Sequence, residues 1–173
     1  MKYFYITLVL FLLIMDKSNA QQITALDWTK TDCIGKSHHL FDLLNKGYLV
    51  ITEYVMLDCQ PCITAANSIE KMKISLDKQY RNKILYYTVG YNDKYSCTEL
   101  LKWKSENNVS STVLTNGFNE VSYYGGMGMP TFVILKGKDH RVIYTKKGVL
   151  NIKTIEKIIH NSMNSKTKEI IKK

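Results

Sequence analysis

The sequence predicts an α/β domain with a central mixed sheet flanked by helices and an N-terminal β-hairpin extension. Three observations carry this. Apolar, β-branched runs alternate with segments of helical spacing through the middle of the chain, the order that builds a parallel core. Two further runs near the end are joined by a short glycine turn, which adds an antiparallel edge. The composition is that of an ordinary globular protein, with 45% hydrophobic and 23% charged residues in 173 positions. It excludes disorder as the main state, and the chain has neither a triplet glycine period nor a sustained heptad.

The first twenty residues read as an address. Lys2 is followed by the uncharged apolar run Tyr3 to Ile14, and Ser18-Asn19-Ala20 puts small residues where a signal peptidase reads. The run is shorter than the roughly 20 residues of a membrane span. Residues 1–20 are expected to be a signal peptide cleaved after Ala20, with an uncleaved anchor as the alternative. No cysteine stands near that point, which argues against a lipoprotein. The expected product is exported, periplasmic or secreted, without stable membrane insertion, in a compartment where disulfides persist. Residues 21–163 read as one domain and 164–173 as a lysine-rich tail, and a monomer is expected. The net charge of +9 permits nucleic-acid or lipid binding. No nucleic-acid motif accompanies it, and the lysines are scattered apart from an excess at the C-terminus, the pattern of a solvated surface.

Asp27 to Asp32 and Lys36 to Leu40 form the expected hairpin around Ile34-Gly35, and Phe41 to Lys46 one or two helical turns ending at Gly47. Tyr48 to Met56 is near-continuously apolar, as in a strand buried on both faces, with Glu53 interrupting it. From Pro61 to about Tyr80, Ile63, Ala66, Ile69, Met72, Ile74 and Leu76 fall near helical spacing, and proline is tolerated in a first turn. Ile84 to Tyr91 is a second strand, and Thr98 to Asn107 a helix with Leu100, Leu101 and Trp103 inward. Asn119 to Tyr124 is ambiguous. Thr131 to Lys136 and Arg141 to Thr145 are strands joined by Gly137-Lys138-Asp139. Asn151 to about Met163 is an amphipathic helix on Ile152, Ile155, Ile158 and Ile159.

Cys59-Gln60-Pro61-Cys62 sits where the first buried strand ends and a helix begins. A cysteine at a helix N-terminus lies among unpaired N–H groups that favour thiolate over thiol. The second cysteine, one turn later, can resolve a mixed disulfide held by the first. Haem attachment would need histidine after the motif, but Ile63 stands there. A purely structural disulfide would close too short a loop to stabilise much. A second proline, in Gly125-Gly126-Met127-Gly128-Met129-Pro130-Thr131, directly precedes an apolar strand.

Together these features resemble the thioredoxin superfamily, in particular exported thioredoxin-like proteins of the TlpA/ResA type, from Asp27 to about His160. The resemblance implies a thioredoxin-like fold and a thiol–disulfide oxidoreductase with no bound cofactor. Its substrates would be protein disulfides or thiols, supplied by an unidentified electron donor, and reductase is the expected direction. It implies Cys59 and Cys62 as the catalytic dithiol and Pro130 as a cis-proline beside it. Met129 would offer its backbone to substrate, with Gln60 and Pro61 in the contact surface. Glu53, six residues before Cys59, stands where the family carries a buried acid that moves protons; the other reading is a glutamate paired with lysine at the sheet rim. Two departures are plain: Asp58 replaces the usual tryptophan before the first cysteine, where a carboxylate opposes thiolate formation, and Gln60 replaces the more usual glycine.

Cys33 and Cys97 lie outside the motif. In this family the hairpin lies beside the strand that Cys97 follows, which implies a structural Cys33–Cys97 disulfide; free thiols or a second redox pair are the other readings. Asn108-Val109-Ser110 matches a glycosylation triplet and is read as a loop without function. The rival function is a metal carrier, with the dithiol holding a soft ion such as Cu(I), helped by Met56, Met127 or Met129.

Overall fold

The computed structural model describes residues 23–170, with side chains as far as Asn164. The expected signal peptide lies outside the described residues. The hairpin consists of β1 (Thr29–Thr31) and β2 (Ser37–His39), and α1 (Leu40–Asn45) follows it. Next come β3 (Leu49–Val55), α2 (Gln60–Tyr80), β4 (Ile84–Gly90), α3 (Cys97–Glu106), β5 (Thr112–Leu114) and α4 (Phe118–Tyr123). The chain closes with β6 (Thr131–Lys136), β7 (Arg141–Lys147) and α5 (Ile152–Ile170).

The five-stranded sheet has the order β5-β4-β3-β6-β7. β3, β4 and β5 run parallel, while β6 and β7 are antiparallel additions. Every residue of β3 is buried, as its sequence demands of a central strand covered on both faces. Alternation then sorts its side chains. Val50 and Tyr54 face a core with Trp28, Leu40, Leu44 and Val121, contributed by the hairpin side, α1 and α4. Leu49 and Ile51 face Ile69, Met72 and Leu76 of α2 and Ile155 and Ile159 of α5. Val55 continues this second face at the end of the strand, against Cys62, Ala66, Trp103 and Val109.

Several elements differ from the sequence reading. β5 was not foreseen. It is three residues long and is held from both sides, by β4 and by the Cys33 N–H donating to the Val113 carbonyl. The ambiguous segment is the short helix α4. α5 continues past Met163 to Ile170, so the sequence positions read as a tail begin inside a helix. On α2, Ile74 is solvent-facing and Lys73 is buried in its place. The Lys73 ammonium lies 4.8 Å from the centre of the Tyr86 ring and 3.1 Å from Glu70 Oε1, and also donates to Ser110 Oγ. On α3, Leu100 and Trp103 are buried and Leu101 is half-buried.

Candidate active site

β3 ends at Val55, and four residues later Cys59 becomes the N-cap of α2. Its backbone is extended, its carbonyl accepts the first helical hydrogen bonds from the Cys62 and Ile63 N–H groups, and its Sγ also accepts from the Cys62 N–H at 3.2 Å. Gln60 and Pro61 occupy the opening helical positions, where the missing proline donor costs nothing. The two cysteines are joined. Their environments differ: Cys59 is half-buried, whereas Cys62 has no exposed surface and sits among Val55, Ala66, Trp103 and Val109. One sulfur can therefore be reached from outside and the other only from within the ring. Asp58 beside them is exposed.

The Met129–Pro130 bond is cis. Met129 packs against the apolar cluster that contains Cys62, bringing the glycine loop to the dithiol. The loop turns through Gly125 and Gly126, at φ of 104° and 76°, conformations that side-chain-bearing residues seldom adopt. It is held from β7: Lys147 Nζ donates to the Gly125 carbonyl, and the Gly148 N–H donates to the Pro130 carbonyl at 2.8 Å. On the other side of the motif, Gln60 and Pro61 join Thr64, Ala65, Val149 and Leu150 in lining an open, mostly apolar groove of about 390 Å³. Val149 and Leu150 escaped the sequence reading, because nothing in a two-residue stretch after a strand says which helix it will face.

Glu53 pairs in register with Thr88 of β4 and Phe132 of β6, in the middle of the sheet and not at its rim. Its parity puts it between Ile51 and Val55, on the face covered by α2. It is 3% exposed, and its Oε1 has no hydrogen-bond partner among the described residues. Burial pushes its pKa well above the usual carboxylate range, and the like charge of Glu70 pushes the same way. Glu53 and Ala66, one turn beyond Cys62 on α2, line one cavity of about 10 Å³, together with Glu70, Tyr86, Thr88 and Ser111. Of the polar members of that cavity, Tyr86, Thr88 and Ser111 were not legible in advance. Counting down the Cys62 face of α2 would have reached Glu70.

Cys33 and Cys97 are bonded to each other. Cys97 opens α3, whose N-terminus carries a capping box: the Glu99 N–H donates to Ser96 Oγ, and Glu99 Oε2 accepts from the Ser96 N–H. Among the described residues no group of three or more His, Cys, Asp or Glu side chains is placed to hold a metal ion. Of the methionines considered for copper, Met127 is exposed with its Sδ accepting from Tyr91 OH at 2.9 Å, and Met56 and Met129 are half-buried. No helix among the described residues is long and apolar enough to cross a membrane.

No protein-family model and no curated protein matches the sequence. Solved structures do match. A protein assigned as the thiol:disulfide interchange protein DsbE of Chlorobium tepidum superposes with a TM-score of 0.67 at 17% identity, over 81% of this chain and 95% of that one. A secreted Mycobacterium tuberculosis disulfide oxidoreductase, homologous to E. coli DsbE, gives 0.60 at 12% identity, over 78% and 95%. StoA from Bacillus subtilis gives 0.59 at 15%, over 78% and 96%. At such identities the agreement is one of architecture, and the chain has the thioredoxin-like fold.

Proposed function

We propose that this protein is an exported thiol–disulfide oxidoreductase acting on protein substrates, in the reducing direction. The observation that carries the reading is the unequal pair at the start of α2: Cys59 is reachable and Cys62 is sealed beneath it. In the reduced protein, the Cys59 thiolate attacks a substrate disulfide. One substrate sulfur leaves with the electron pair of the broken S–S bond, and the other stays joined to Cys59. Cys62, deprotonated, then attacks the Cys59 sulfur. The internal disulfide forms and the second substrate thiolate departs, so two electrons have moved from the protein to the substrate. The helix N-terminus favours the Cys59 thiolate that makes the first attack.

Three further roles follow. Glu53 is the base that takes the Cys62 proton, since burial strengthens its hold on a proton. The Met129 backbone, held beside the dithiol at Pro130, pairs with an extended substrate segment in the manner of an added strand. The apolar groove at Gln60, Pro61, Val149 and Leu150 receives side chains of that segment. The exported location is supported by the N-terminal pattern, and by one of the similar structures being that of a secreted protein.

Trapping tests the assignment. Cys62→Ser should accumulate mixed disulfides with substrate proteins, visible as reductant-sensitive adducts, and Cys59→Ser should accumulate none. Adducts on Cys59→Ser alone would reverse the roles. A reduction potential above that of ordinary structural disulfides, well towards the oxidising end, would overturn the reducing direction.

A further inference from the structure

A buried base that accepts a proton from Cys62 must lose it again before the next cycle, and the substrate covers the Cys59 side while the reaction runs. The structure offers another way out. Glu53 Oε1, without a hydrogen-bond partner among the described residues, shares its cavity with Glu70, Thr88 and Ser111. Thr88 Oγ1 and Ser111 Oγ are 2.5 Å apart and both are buried, so this wall of the cavity is a joined pair of hydroxyls. The volume, about 10 Å³, is at the threshold for one water molecule, and the polar lining supplies the two to four partners such a water needs. Glu70 connects the cavity to the surface. Its Oε1 accepts from the Ser110 N–H at 2.9 Å and from Lys73 Nζ at 3.1 Å, its Oε2 accepts from Ser110 Oγ at 2.6 Å, and its side chain is 20% exposed. Glu70 stands eight residues beyond Cys62 on α2, about 12 Å along the axis at 1.5 Å per residue.

We propose that this cavity binds one water molecule, and that the water passes the proton of Glu53 to Glu70 and from there to solvent, on the side of the molecule away from the bound substrate. The inference rests on Glu53 acting as the base for Cys62. The balance is simple. Cys62–SH and the Glu53 carboxylate become Cys62–S⁻ and Glu53–COOH; Glu53–COOH then donates to the water, which donates to Glu70; Glu70 releases the proton to bulk water, and no electrons move in this branch. Burial raises the Glu70 pKa, but the hydrogen bonds from Ser110 and the charge of Lys73 outweigh it and hold Glu70 below its ordinary value. Glu70 therefore hands the proton on without storing it. The other titratable groups facing the cavity are Tyr86 and Tyr87 of β4, and burial raises both, so they stay neutral throughout.

The test reads the Glu53 carboxyl directly in the full chain, with no substrate present. Glu53→Gln identifies its C=O band in the infrared difference between low and high pH. In Glu70→Gln, hydrogen–deuterium exchange at that carboxyl should slow on the order of a hundredfold, the low end of what one positioned proton-transfer group contributes. The titration of the band should also move to lower pH, because a like charge has been removed. Glu70→Asp should restore both. Thr88→Val, which leaves the Glu70, Ser110 and Lys73 cluster intact, should slow exchange as well, and carries the test if Glu70→Gln fails to fold. Exchange at the parent rate in the folded variants would overturn the route. Failure of disulfide exchange with protein substrates would instead overturn the oxidoreductase reading, since the carboxyl measurement needs no turnover.

Discussion

A carboxyl buried without a counter-ion costs stability whenever solution conditions would ionise it, and Glu53 is such a group. Its folded pKa lies well above the 4.5 of an exposed glutamate. Below about pH 4.5 the folded and unfolded chains both hold the proton, and Glu53 costs nothing through linkage. As pH rises past that value the unfolded chain releases its proton while the folded chain keeps it, so stability falls until the folded carboxyl titrates in turn. Glu53→Gln should therefore raise the unfolding midpoint at pH 7 to 8 and leave it nearly unchanged at pH 4, while slowing the resolving step. Denaturant melts of the oxidised proteins across that range measure this. A midpoint raised equally at both values would mean that the gain comes from packing. The same residue shows what was readable beforehand. Its unusual position inside an apolar run could be seen in the sequence. Thr88 and Ser111 could not be placed beside it, because they arrive from other segments of the chain and meet it only through the tertiary fold.

At the scale of elements, the long segments declared themselves and the short ones did not. β3, α2 and β4 are long enough for periodicity to act as a signal, and the start of β3, the start of α2 and the end of β4 fall at or close to Gly47, Pro61 and Gly90. β5 has three residues and α4 six, too few to display a period, and each is fixed by what it pairs with or packs on. The exposure of Ile74 and burial of Lys73 have the same origin, since which residue at the edge of a helical stripe turns inward depends on Tyr86, Glu70 and Ser110 waiting there. Contact between elements also explains Gly90, the last residue of β4. A Cβ there would stand 2.7 Å from Leu100 Cδ1 on α3, and Leu100 is fully buried with little room to yield. Gly90→Ala should cost about 1–3 kcal/mol by overpacking, measurable by urea denaturation. Gly90→Ala combined with Leu100→Val should recover part of the loss, and no recovery would place the strain elsewhere.

Across the whole molecule, the Cys33–Cys97 bond ties the hairpin to the start of α3 over a separation of 64 residues, which the chain-entropy account values at about 4 kcal/mol. The Cys33→Ala, Cys97→Ala double variant should fold, lose about that much stability, and keep its dithiol reactive. Graded dithiothreitol followed by peptide mapping should find Cys59–Cys62 open first, since structural bridges resist reduction more than catalytic ones. Alkylation of Cys33 before Cys59 would contradict the division of labour. On the proposed function, this second bond poses a problem of self-recognition, because a reduced copy would meet it on every other copy. Burial does not hide it, as Cys33 and Cys97 are both partly open to solvent. Its protection is conformational. The Cys33 N–H is already committed to Val113, and Cys97 is wound into a capped helix, so neither half can straighten and lie along the Met129 edge as a substrate strand would. On that function, the shape of the chain around the sulfur would tell the molecule's own bond from those of its substrates.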